Sequence, residues 1–115
     1  MGETARIYHN PQCSTSRRTL QRLRDTGVEP EVVQYLKTPP TRDELVQLIA
    51  DAGLTPSQAV RRREALFSEL ALADADDDTL LDAMAANPRL IERPFVVTSK
   101  GTRLARPVET VDEIL

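Results

Sequence analysis

The sequence predicts an α/β fold: a four-stranded mixed sheet with flanking helices and an inserted helical block. Three observations predict it. Near the N-terminus a strand, a helix and a strand follow closely enough to form a βαβ unit, so the two strands run parallel with a right-handed crossover. Near the C-terminus two strand-like runs flank the turn Ser99-Lys100-Gly101-Thr102, and a last helix follows. Between these, residues from about 41 to 88 carry helical signals only.

Each element has a local reason. Residues 4–8 read as a short strand, which His9-Asn10-Pro11-Gln12 breaks, because Asn-Pro is a turn dipeptide and the residue before proline is pushed toward extended geometry. Residues 14–26 form a helix with Leu20 and Leu23 on one face and Gly27 as its stop. Residues 31–36 read as the second strand. After Pro39-Pro40, Thr41 with Glu44 makes a capping box, and Leu45, Leu48, Ile49 and Ala52 line one face until Gly53. Thr55-Pro56 opens a short helix, and Asp76-Asp77-Asp78-Thr79 suits the start of another running through Leu80, Leu81 and Met84 to Asn87-Pro88. Residues 95–98 and 103–105 are the last two strands, and residues 107–115 the last helix, with Val111 and Ile114 inward.

The 115 residues fit one domain, 1–115, long enough to bury about two-thirds of the unfolded surface. The single cysteine excludes an intramolecular disulfide framework and every multi-cysteine metal cage, and the lone histidine adds too few ligands, so no metal site is expected. The start MGETARIYHN lacks a secretory pattern, and no run approaches the ~18 apolar residues of a membrane span, so the expected location is the cytoplasm. With 15 basic and 18 acidic residues the net charge is −3, which gives no electrostatic case for nucleic acid or an anionic membrane. Of the basic residues 13 are arginine, leaving only Lys37 and Lys100; this bias is compatible with an anion site and equally with compositional drift.

The chemistry centres on Cys13, at the turn from the first strand into the first helix. A helix N-terminus carries about half a positive charge and favours a thiolate. Ser14, Thr15 and Ser16 add hydroxyls around the sulfur, and Arg17 and Arg18 add charge in the first turn. Ser16 stands where a Cys-x-x-Cys motif would carry its second thiol, so an oxidised or adducted Cys13 needs a thiol from outside the chain. Thr19 occupies the arginine position of a Cys-x5-Arg phosphatase loop and argues against that class. His9, four residues before the cysteine, is read as support for the loop. Arg61 (first of Arg61-Arg62-Arg63), Arg93 before Pro94 and Arg106 before Pro107 would seat a tetrahedral oxyanion by forked hydrogen bonds if they converge; spacing alone leaves ordinary surface ion pairing open.

Three stretches carry a resemblance over essentially the whole chain. His9-Asn10-Pro11-Gln12-Cys13-Ser14-Thr15-Ser16-Arg17 resembles the signature loop of the glutaredoxin-coupled arsenate reductases. Tyr35-Leu36-Lys37-Thr38-Pro39-Pro40-Thr41-Arg42-Asp43-Glu44-Leu45 resembles their second signature, and Arg93-Pro94-Phe95-Val96-Val97 with Gly101-Thr102-Arg103 and Arg106-Pro107 their third. The resemblance implies a thioredoxin-like fold with Pro94 at its cis-proline position. It further implies Cys13 as nucleophile, Arg61, Arg93 and Arg106 as oxyanion-binding residues, and His9, Ser16 and Arg17 as support for the thiolate.

The activity it implies is reduction of arsenate to arsenite, with glutathione as co-substrate, glutaredoxin as partner and no bound cofactor. Two alternatives stand beside it. A glutathione-dependent thiol transferase on the same scaffold would need no arginine triad. A transcriptional adaptor of the same superfamily, binding RNA polymerase, would carry the Cys-x-x-Cys switch that Ser16 removes.

Overall fold

The computed structural model describes residues 4–115, so the first three residues of the stretch read for a leader lie outside it. The chain divides into two compact units: the chain up to Thr38 together with Arg93–Leu115, and Pro39–Glu92.

The first unit holds β1 (Ala5–Tyr8), α1 (Ser14–Asp25), β2 (Glu31–Val33), β3 (Phe95–Thr98) and β4 (Gly101–Leu104). The strand order is β2-β1-β3-β4. The α1 crossover makes β1 and β2 parallel, with Ile7 opposite Val32. Ile7 also faces Val96 across the antiparallel β1–β3 pair, and the hairpin sets Val96 opposite Arg103. Ile7 is the buried residue of β1, and with Leu23, Val96, Ala105, Val111 and Ile114 it forms the core, onto which Leu20 packs. Side chains alternate across a strand, so burying Ile7 points Arg6 and Tyr8 to the opposite face.

Three expectations for this unit are corrected. β2 ends at Val33 rather than at residue 36, because the Gln34 carbonyl accepts the N–H groups of both Lys37 and Thr38 at 2.9 Å and curls the chain into a turn. The strand-like apolar signal came from Tyr35, which is buried from that turn. β4 begins at Gly101, paired with Thr98 across a two-residue turn, where φ of +149° suits a residue without a side chain. Residues Val108–Ile114 form a 3-10 helix rather than an α-helix. Val108, Val111 and Ile114 are buried at every third position, the repeat that a helix of three residues per turn places on one side.

The second unit is helical. α2 (Arg42–Asp51) starts at Thr41, whose hydroxyl accepts the Glu44 N–H at 3.1 Å while the Glu44 carboxylate accepts the Thr41 N–H at 3.0 Å. α3 (Pro56–Ala59) repeats the device with Thr55 and Gln58, and has Pro56 in its first turn. α4 (Ala65–Glu69), a single turn without a side-chain cap, was not foreseen. α5 (Asp77–Ala86) is capped by Asp76, which accepts the Thr79 N–H at 2.9 Å. It buries Leu80, Leu81 and Met84, and both α2 and α3 contact it. No helix among the described residues is long and apolar enough to cross a membrane.

Candidate active site

The loop between β1 and α1 is folded by Asn10. Its side-chain oxygen accepts the Gln12 N–H at 3.0 Å, an Asx turn, and its carbonyl accepts the Cys13 N–H at 3.0 Å. Asn10-Pro11 marks the turn in the sequence; the role of the Asn10 side chain as acceptor for the N–H two residues on is the part the dipeptide does not specify. The Ser16 hydroxyl accepts the Asn10 N–H at 3.0 Å and lies 2.6 Å from His9 Nδ1. The His9 N–H in turn donates to the Val33 carbonyl at 2.7 Å, tying the loop to β2. Burial, with the charges of Arg24 and Arg17 behind it, holds His9 below its ordinary value, so the imidazole is neutral at pH 7.

Cys13 occupies the N-cap of α1 with an extended backbone, and its side chain makes no capping hydrogen bond. Burial is the largest single influence on its thiol and pushes it up. The Arg93 guanidinium and the Ser16 and Thr15 N–H groups together outweigh burial, and the thiol lies below its ordinary value. Of the hydroxyls expected around the sulfur, that of Ser16 is engaged by His9 Nδ1 and the Asn10 N–H. Thr15 and Ser16 act on Cys13 through their backbone amides. Arg17 turns back, and its Nη1 donates to the Pro11 carbonyl at 2.9 Å, so it fixes the loop.

Arg93 is only 8% exposed. Its Nε is buried without a hydrogen-bond partner. Arg106 donates Nη1 to the Arg93 carbonyl at 3.0 Å. Both Arg93–Pro94 and Arg106–Pro107 are cis peptides; sequence reading expected only the first. The sheet unit therefore gathers Cys13, Arg93 and Arg106 from two distant stretches of chain. A buried polar group is normally bonded, so the Arg93 Nε–H beside Cys13 is a donor without a partner at the site.

Arg61 belongs to the helical unit. There its N–H donates to the Leu90 carbonyl at 2.6 Å, beside the Val60–Ile91 bridge, and its guanidinium lies 3.5 Å from the Glu64 carboxylate. Arg62 donates to the Ser57 hydroxyl at 2.6 Å and covers the Phe67 ring at 5.2 Å. Arg63 is exposed. No cluster of three or more His, Cys, Asp or Glu side chains that could hold a metal occurs among the described residues.

Sheet order, crossover and the cysteine at the head of α1 define a thioredoxin-like α/β protein. The ArsC family model matches residues 8–114, and the chain belongs to the ArsC family. It is 56% identical over 114 residues to an arsenate reductase of Rhizobium meliloti (strain 1021), covering 97% of this chain and 81% of the relative. It is 54% identical over 111 residues to an arsenate reductase of Escherichia coli (strain K12), covering 95% and 79%. Among solved structures, an arsenate reductase from Vibrio cholerae superposes with a TM-score of 0.95 at 45% identity, with all of both chains covered.

Proposed function

We propose that this protein reduces arsenate to arsenite, with Cys13 as nucleophile and with glutathione and glutaredoxin as reductants. The observation that carries the reading is the buried Arg93 guanidinium at Cys13, with a donor that has no partner and a charge that favours the thiolate. The relatives named arsenate reductase supply the substrate.

Arsenate near neutral pH is a tetrahedral dianion, and a thiolate at contact distance would be repelled by it unless positive charge lies between. Arg93 both favours the thiolate and retains an unbonded Nε–H for an arsenate oxygen; Arg106 adds a second guanidinium beside it. Arg61 enters on the family resemblance alone. The thiolate attacks arsenic, a sulfur–arsenic bond forms, and one arsenate oxygen leaves as water after protonation. The glutathione thiolate then attacks the Cys13 sulfur, and a sulfur–sulfur bond forms. The sulfur–arsenic bond breaks with its electron pair going to arsenic, which takes up a proton and leaves as arsenite, and Cys13 is left joined to glutathione. Glutaredoxin removes the glutathione and frees Cys13. The net change is balanced: two thiols become one disulfide, and arsenate becomes arsenite plus water. Because the chain holds one cysteine, the second thiol must come from outside. Glutathione is thus a co-substrate rather than a resident group, and the chemistry suits the reducing cytoplasm.

Alkylation of Cys13 tests the anion site. Arsenate should protect the thiol from iodoacetamide at lower concentration than sulfate does, and Arg93→Ala should abolish the protection. Equal alkylation with and without arsenate would contradict the reading and return the protein to thiol transfer without an oxyanion substrate.

A further inference from the structure

We infer that a depression beside the Cys13 loop seats the small thiol that recycles the site: a peptide thiol bearing a carboxylate within a residue or two of its sulfur, the class to which glutathione belongs. This rests on the reading of Cys13 as a nucleophile regenerated by an external thiol.

The depression has a volume of about 150 Å³, room for a terminal residue with its carboxylate rather than for a whole peptide. Residues 9–12 form one wall; Gln34, Leu36 and Lys37, from the turn after β2, form the other. Gln12, which lines the depression, is the chain neighbour of Cys13, with Cα atoms about 3.8 Å apart, so the depression borders the cysteine that the thiol would release. Arg93 and Arg106 do not line it, so thiol and oxyanion would use different groups.

Its chemistry is that of an unfilled carboxylate-and-amide site. Of the two lysines, Lys100 donates Nζ to the Leu115 carbonyl at 2.8 Å. Lys37 has no ion pair and no side-chain hydrogen bond among the described residues, and neither have the side-chain amides of Gln12 and Gln34. On a chain of net charge −3, an uncompensated ammonium beside two free amides matches a carboxylate and a peptide group. Leu36, 43% exposed, offers an apolar side to the ligand's methylenes.

The test needs no arsenate. Cys13 is converted to its mixed disulfide with thionitrobenzoate, and thiols are added. A thiolate attacks the Cys13 sulfur, a new disulfide forms, the old one breaks, and thionitrobenzoate departs with the electron pair and is read by its colour. Mass spectrometry confirms the protein–glutathione product. Lys37→Glu should slow release by glutathione about three- to tenfold, with the effect shrinking in high salt, and leave release by neutral 2-mercaptoethanol within about twofold. Unchanged glutathione rates in Lys37→Glu, or equal slowing of both thiols, would overturn the inference. Arsenate turnover by the wild-type protein is a separate measurement, so its absence would count against the proposed function and leave this result readable.

Discussion

The Arg93 guanidinium, two residues before β3, acts on the Cys13 sulfur at the N-cap of α1 and favours its thiolate. It opposes the burial that pushes the thiol up. Arg93→Ala should therefore move the midpoint of Cys13 alkylation to higher pH. At neutral pH the variant should alkylate more slowly than wild type, and at alkaline pH, where both thiols are ionised, the two rates should converge. Arg93→Lys keeps the charge without the fork and should fall between them. A midpoint unmoved in Arg93→Ala would assign the thiolate to the helix amides alone.

The buried His9 ring contributes in the opposite direction as pH falls. Its folded value lies below its unfolded one, so the unfolded chain takes up a proton first as pH drops below about 6.5. The stability held above that pH is lost on acidification through the folded value. His9→Gln should remove this part of the acid-side slope in thermal melts between pH 7 and 5. A variant slope identical to wild type would show that His9 titrates as an exposed residue does.

The two capping boxes give a prediction about stability alone. Thr41→Ala removes the acceptor for the Glu44 N–H and should cost about 1 kcal/mol, seen as a Tm lower by about 3–6 °C. Arsenate protection of Cys13 should be unchanged.

Much of this was legible because it is local. Thr41 with Glu44, Thr55-Pro56 and Asp76 announced their helices three residues ahead, and Asn10-Pro11 announced the loop that carries Cys13. What was not legible depended on neighbours distant in sequence. Tyr35 is apolar and strand-like, yet its neighbours turn because Gln34 takes two N–H groups. The last helix is 3-10 because its inward residues fall every third position on a sheet that the local pattern does not reveal. Arg93 and Cys13 lie on either side of the whole helical block in sequence, and no spacing rule joins an arginine to a sulfur at that separation. The resemblance named both residues; the fold brings Arg93 to act on the Cys13 thiol.

The arginine run in the helical unit separates by substitution. On the family resemblance that gives Arg61 an anion-binding role, Arg61→Ala should lower kcat/KM for arsenate about ten- to a hundredfold, the size of one charge-assisted hydrogen bond. Arg62→Ala should stay within about threefold, because its guanidinium is engaged by Ser57 and Phe67. The reverse order would move the anion-binding role one residue along.

The most direct measurement is arsenite formed from arsenate by the purified protein with glutathione and glutaredoxin. Wild type should turn over, Cys13→Ser should form none above background, and Arg93→Ala should lose about ten- to a hundredfold. Arsenite produced by Cys13→Ser at the wild-type rate would contradict a mechanism that begins at this sulfur.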